Sequence, residues 1–253
     1  VDYLQVKRLP LHPYVVGALL GGGSLNKDHV VITTADEGIL QKILSLTPGL
    51  VEKAVPHKKG FCFTLYQVKD GKYGLLSNAL REIGLARQTC EMKHIPERYL
   101  TASEDDRLEL LAGLVDTDGT HNDFTQKSER LTRDFARLVR SLGGKATVYR
   151  ERRVCTNAPG GPKEGWYWRC SWRLNRRLPL VLDRKQPRIS KRAVDYSKRV
   201  IRRIESVGMM DCGCITVDHP SHCFVAYDWV AVGNSEGVGG YEVVRHATGI
   251  YPS

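Results

Sequence analysis

Leu111 to Gly119 reads Leu-Ala-Gly-Leu-Val-Asp-Thr-Asp-Gly, an apolar stretch with small residues at its centre that closes on two carboxylates and a glycine. If this stretch is a helix, Asp118 stands at its C-terminal end, where the macrodipole is negative and a carboxylate is stable only beside a cation. Oxygen ligands suit a hard divalent ion, Mg²⁺ or Mn²⁺, which acts as a Lewis acid and activates water. Asp116, two residues earlier, points elsewhere on a helix and suits a structural or capping role. An altered copy comes first in the chain. Pro13 to Ser24 reads Pro-Tyr-Val-Val-Gly-Ala-Leu-Leu-Gly-Gly-Gly-Ser, and laying Gly17 on Gly113 puts Gly22 on Asp118 and Gly23 on Gly119. The first copy therefore lacks the carboxylate on which the second ends. Gly17, Ala18, Ala112 and Gly113 would let two such helices approach closely.

The copies lie 96 residues apart, and each is followed by a similar order of elements, the mark of an internal duplication. After the helix at Pro13 to Gly21, periodicity predicts a strand at His29 to Thr33 and a helix near Asp36 to Leu46. Strands over Val51 to Val68 follow, turning at Lys58-Lys59-Gly60, and then a helix from Tyr73 to Ile83. In the second half a helix from Glu104 to Val115 precedes a strand near Asp123 to Lys127. A helix from Arg130 to Leu142 stops at Gly143-Gly144, strands follow at Ala146 to Arg153 and Trp166 to Leu174, and a basic helix spans Lys191 to Ile204. The expected class is α+β, with two pseudo-symmetric αββαββα halves at 1–108 and 109–207.

The paired motifs resemble the signature of the LAGLIDADG homing endonucleases, over roughly Leu9 to Val207. That resemblance implies two motif helices packed side by side, each offering its last carboxylate to a divalent metal, and two antiparallel sheets forming a saddle for double-stranded DNA. It implies a monomer with an internal pseudo-two-fold axis that makes two staggered nicks in a long, nearly palindromic site. Lys93, in Met92-Lys93-His94-Ile95-Pro96, resembles the family's lysine before an Ile-Pro step, and Lys185 its second-half counterpart; such a lysine steadies the attacking water or the phosphorane charge. Asp118, Lys93 and Lys185 are thus the candidate catalytic residues, Asp118 the metal ligand, and Gly22 marks the missing carboxylate.

The net charge of +10 is concentrated: His121 to Met210 carries 23 Lys and Arg against 8 Asp and Glu. Such asymmetry points to a polyanion, because Lys and Arg that neutralise phosphates release counterions. A two-stranded ribbon fits a major groove and reads base edges. A tryptophan face of Trp166, Trp168 and Trp172 reads as core. Tyr167, Arg169 and Arg173 on the other face, with Arg150 and Arg152 on the neighbouring strand, are the candidate DNA-binding residues.

Asp211 to Asn234 alternates apolar and polar residues and is followed by Ser235. This resembles the C-terminal splicing blocks of an intein, which implies splicing roles for His222, Asn234 and Ser235, although Gly233 stands where a histidine is usual. The expectation is a small β splicing remnant of the Hint type over 208–234 and an extein-like tail over 235–253. Val1 is no splicing nucleophile, so an absent N-terminal half, supplied by a partner fragment, is also expected. Cys212, Cys214, His219, His222 and Cys223 could in principle bind zinc, although Cys-x-Cys is tighter than the usual spacing. No apolar run approaches the roughly 20 residues a bilayer requires, there is no signal peptide, and seven scattered cysteines suggest reduced thiols, hence an intracellular protein. Two rival readings are a DNA-binding descendant without nuclease activity and a splicing fragment dependent on a partner.

Overall fold

The computed structural model describes residues 8–26, 29–57, 60–155 and 161–189, and, further on, 203–206, 208–209, 211, 215–217, 220, 223–226 and 230–233. The chain forms two compact units, 1–194 and 195–253.

The first unit begins with α1 (Pro13–Gly22), β1 (Gly23–Ser24), β2 (Val30–Thr33), α2 (Glu37–Ser45), β3 (Val51–Pro56) and β4 (Cys62–Gln67). A two-residue ladder, β5 (Lys69–Asp70) with β6 (Tyr73–Gly74), leads into α3 (Leu75–Glu82) and the short α4 (Glu97–Leu100). The second half runs α5 (Glu104–Asp118), β7 (Asp123–Gln126), α6 (Glu129–Ser141), β8 (Lys145–Cys155) and β9 (Lys163–Arg173), then a 3₁₀ turn at Asp183–Lys185. The class is α+β with antiparallel sheets. In the second half the strand after the motif helix shrinks to a single bridge, Gly119 with Phe124. The expected basic helix falls mainly on residues outside those described, and Arg203 and Ile204 are not helical.

Chemistry at the element ends explains where they start. Asp36 accepts from the Gly38 N–H at 3.1 Å, Ser103 from Asp106 at 3.2 Å and Ser128 from Leu131 at 3.0 Å, satisfying donors that a helix start leaves open. Glu104, Asp105 and Asp106 add negative charge to the first turn of α5, where the dipole favours it. α1 is apolar or glycine from Val15 onward and buried through Leu20, as a helix enclosed on all sides must be.

The first sheet has the order β1-β2-β4-β3, and the second β7-β9-β8. Side chains directly opposite share a face. Val30 with Leu65 in the first sheet, and Phe124 with Cys170 and Ala146 with Trp172 in the second, make the core faces. α6 covers the second: Phe135 stacks on Phe124 at 4.2 Å and meets Trp172 edge-on at 5.7 Å.

In the second unit β10 (Cys223–Ala226) pairs with β11 (Val230–Gly233), Cys223 opposite Gly233. The splicing candidates His222, Asn234 and Ser235, and the cysteines and histidine at 212, 214 and 219, lie outside the described residues. Among the described residues no helix is long and apolar enough to cross a membrane.

Candidate active site

α1 and α5 pack with their glycines against each other's backbone. A β-carbon on Gly17 would strike the Leu110 carbonyl, and one on Gly113 the Tyr14 carbonyl. Only glycine permits this approach, and it carries the two helix C-termini side by side. Asp116 locks the seam from within: fully buried, it accepts from the Tyr14 hydroxyl at 2.9 Å and from the Val181 and Leu182 amides at 2.8 and 3.0 Å. It ties α1, α5 and the segment after β9 together, the structural role its helix position suggested.

Asp118 is the last residue of α5. The residue is solvent-exposed at its rim, while its carboxyl faces protein and accepts from the Gln126 side-chain amide. Desolvation pushes its pKa up to about 6, against the opposing pull of Lys93, Lys185 and the Gln126 bond; water at the rim tempers that rise. The carboxyl is therefore ionised at neutral pH and open to a ligand on one side.

Both candidate lysines lie beside the helix ends. Lys93 Nζ, buried, donates to the carbonyls of Leu20 and Gly23 at 2.7 Å and of Leu19 at 3.3 Å. Lys185 Nζ donates to those of Val115 at 2.9 Å and Asp116 at 2.7 Å. Each closes the last turn of one motif helix, where carbonyls lack partners and the dipole is negative. Burial lowers both pKa values, that of Lys93 to about 8, with Asp118 opposing the shift. The Lys93 loop is itself held from α6: Ser128 Oγ donates to the Lys93 carbonyl at 2.6 Å, and Asp134 accepts from the Ile95 amide at 3.0 Å.

The internal repeat puts these residues in register. Gly23 pairs with Ile32 and Gly119 with Phe124, so the 96-residue spacing of the helices becomes 92 beyond a longer first-half loop. The 92-residue spacing carries N-cap Asp36 onto N-cap Ser128, Lys93 onto Lys185 and Thr34 onto Gln126. At the α1 end, then, glycine replaces the carboxylate and threonine replaces the amide that props it. Gln126 belongs to no motif that the sequence displays by itself; the change of spacing, two residues ahead of each cap, is the signal that finds it.

The candidate DNA-binding residues divide between two faces. Tyr167, Arg169 and Arg173 share the open face of the second sheet with Lys145, Tyr149 and Asp123. Arg150 and Arg152 lie opposite Trp168 and Trp166, on the helix side of the ribbon. There Arg150 stacks 4.7 Å from the Trp166 ring, and Arg152 pairs with Glu164 at 2.9 Å. The tryptophan face is core only at its inner end: Trp172 is buried, Trp168 half-buried and Trp166 56% exposed, because α6 does not reach the end of the long ribbon. Arg169 is already engaged, with two bonds to Asp123 at 2.9 and 2.6 Å and Glu151 at 3.5 Å. On the open face Arg173 is exposed and lies opposite exposed Lys145, whereas exposed Arg150 and Arg152 lie on the other face.

Fold and site together define an α+β protein built on an internal repeat, with two helix ends side by side and a carboxylate on one of them. No family model matches the chain. It is 29% identical over 226 residues to the replicative DNA helicase DnaB of Mycobacterium intracellulare, a match that takes in 85% of this chain and 33% of that protein; the chain spans about a third of the relative's length. Among solved structures it is similar to mesophilic variants of the homing endonuclease I-DmoI, with a TM-score of 0.41 and 13% identity over 65% of this chain and 89% of theirs. It is also similar to I-DmoI in complex with DNA and Ca, at a TM-score of 0.40 and 12% identity over 65% and 83%.

Proposed function

We propose that the chain is a site-specific endonuclease acting on double-stranded DNA by metal-assisted phosphodiester hydrolysis, carried within an intein. The observation that carries this reading is Asp118: a carboxylate at the end of a glycine-packed helix pair, propped by Gln126, flanked by one buried and one half-buried lysine and open to solvent on one side. Among the described residues no cluster of three His, Cys, Asp or Glu side chains could hold a metal alone. The donor set at Asp118 fits one hard cation, Mg²⁺ or Mn²⁺, whose remaining ligands would be phosphate oxygens and water. When bound, that ion supplies charge neutralisation at the phosphate and a more acidic water.

The rest is the work of the chain's own side chains. Asp118 anchors the ion, Gln126 fixes the carboxylate's rotamer, and Lys93 and Lys185 hold the two helix ends while adding positive potential where negative charge accumulates. The open sheet faces would receive the duplex, Arg173 and Lys145 holding phosphates. The intein reading is supported by the splicing-like pattern over 211–235 and by a likeness to a replicative helicase in which the chain matches only a third of the length.

The test is selection of binding sites from random duplex DNA, followed by incubation of plasmids carrying them with Mg²⁺. Cleavage at the selected site that Asp118→Asn abolishes supports the reading. Selective binding with intact plasmid would instead establish a DNA-binding descendant, the alternative that Gly22 favours.

A further inference from the structure

Resting on that reading, we propose that the chain is a strand-selective nicking enzyme: the α5 end hydrolyses one strand, and the α1 end is a packing surface with no catalytic function. The two ends share a fold but not a chemistry. At the α1 end the positions that would supply the carboxylate, its prop and its clasp carry other residues with other duties. A β-carbon on Gly22 would lie 2.8 Å from the Thr33 carbonyl, 3.2 Å from Thr117 Cβ and 3.5 Å from Ile32 Cδ1; one on Gly21 would collide with the Thr117 hydroxyl. Gly22 is not among the left-handed glycines, so the obstacle is space rather than backbone conformation. A side chain at Gly22 would therefore have to push the end of β2 or Thr117 aside from its first carbon.

The second position is committed as well. Thr34, in the place of Gln126, accepts from the Asp36 amide at 3.1 Å and donates to the Asp36 carbonyl at 3.3 Å, bonds that start α2. Leu20, in the place of the clasp Asp116, is buried among apolar groups. Only Lys93 persists, and all three of its acceptors are helix-end carbonyls. Losing one residue would leave a site that a single reversion repairs. Here ligand and prop are both replaced, and a β-carbon at the ligand's position would meet backbone.

In the step at the α5 end a water oxygen bonds to phosphorus as one P–O ester bond breaks. One water proton goes to the leaving alkoxide and the other to solvent, and the opposite strand is untouched.

The experiment uses the full chain on a supercoiled plasmid carrying a selected site, with each strand end-labelled separately. Mg²⁺ should convert the plasmid to open circles cut in one strand, with a bias of about 100-fold or more over the other, as expected for a lost electrostatic partner of the transition state. A metal-free arm reads the packing: Gly22→Ala should lower Tm while keeping the protein folded and bound to DNA. Gly22→Asp should share the lower Tm and yield no linear product, with DNA binding in Ca²⁺ verifying the fold. Equal cutting of both strands by the parent overturns the proposal and leaves the endonuclease reading intact. So does a Gly22→Asp protein that melts with the parent and linearises the plasmid, or a Gly22→Ala protein of unchanged Tm. A parent that binds the site and cuts neither strand takes down reading and proposal together.

Discussion

The ends of α1 and α5 lie side by side, follow from one repeated sequence and are closed in the same manner, each by a lysine on its last carbonyls. Yet one presents Asp118 propped by Gln126, while the other presents Gly22 under the Thr33 carbonyl. The difference separates what the fold needs from what the chemistry needs. The seam glycines and the capping lysines hold the helix pair together and are kept on both sides. The carboxylate and its amide partner close no helix end, and only one side has them.

The largest effect expected from this contrast is on catalysis. Asp118→Asn should reduce cleavage by about 10³-fold or more while leaving metal-free DNA affinity unchanged. The same carboxyl sets a pH limb: its metal-free pKa is raised to about 6, so protons compete with the ion, and at limiting Mg²⁺ cleavage should fall as pH drops toward that value, with higher Mg²⁺ moving the limb down. The stability consequence has the opposite sense. A carboxyl whose folded pKa is raised contributes stability below the unfolded value near 4, and loses it as pH rises through about 6. Asp118→Asn should therefore melt above the parent at pH 8 and with it at pH 3, which thermal scans at the two pH values would check.

Next come the shared parts. Gly113→Ala and Gly17→Ala each push a methyl group into backbone across the seam, and should cost about 3 kcal/mol or prevent folding, as measured by denaturant titration. The lysines should rank by burial: Lys93→Met, which strands three carbonyls, about 3 kcal/mol, and Lys185→Met, half-buried with two, about 1–2 kcal/mol. Equal costs would argue against the capping role. The smallest effect separates the two arginines of the open face. Arg173→Ala should flatten the dependence of log affinity on log salt by roughly 0.9, the change expected when one phosphate is no longer neutralised. Arg169→Ala, whose charge Asp123 and Glu151 already balance, should leave the slope in place.

Much of this architecture was legible in the sequence because it rests on local rules. The motif helices, the Gly-Gly stop after α6, the hairpins and the empty position at Gly22 all follow from composition and spacing. The motif helix runs three residues past its expected end, to Asp118, because the seam and the Lys185 cap hold a last turn that propensity alone would not. Gln126 was hidden because its meaning depends on a four-residue difference in loop length between the halves, which shows only when the strands are paired. The split of Arg150 and Arg152 from Arg169 and Arg173 likewise requires the register of β8 on β9, since a strand's residues change face with each step. That Lys93 caps a helix instead of standing free in the groove is a tertiary fact, set by Ser128 and Asp134 on α6.

A site at one helix end and none at the other would hold one ion, which titrating Mn²⁺ into the complex of the chain with an uncleavable duplex containing a selected site, and counting bound ions by electron paramagnetic resonance, would read. One tight ion per complex, lost in Asp118→Asn and retained in Gly22→Ala, is the expected result; two ions of comparable affinity, or one that survives the loss of Asp118, would contradict it.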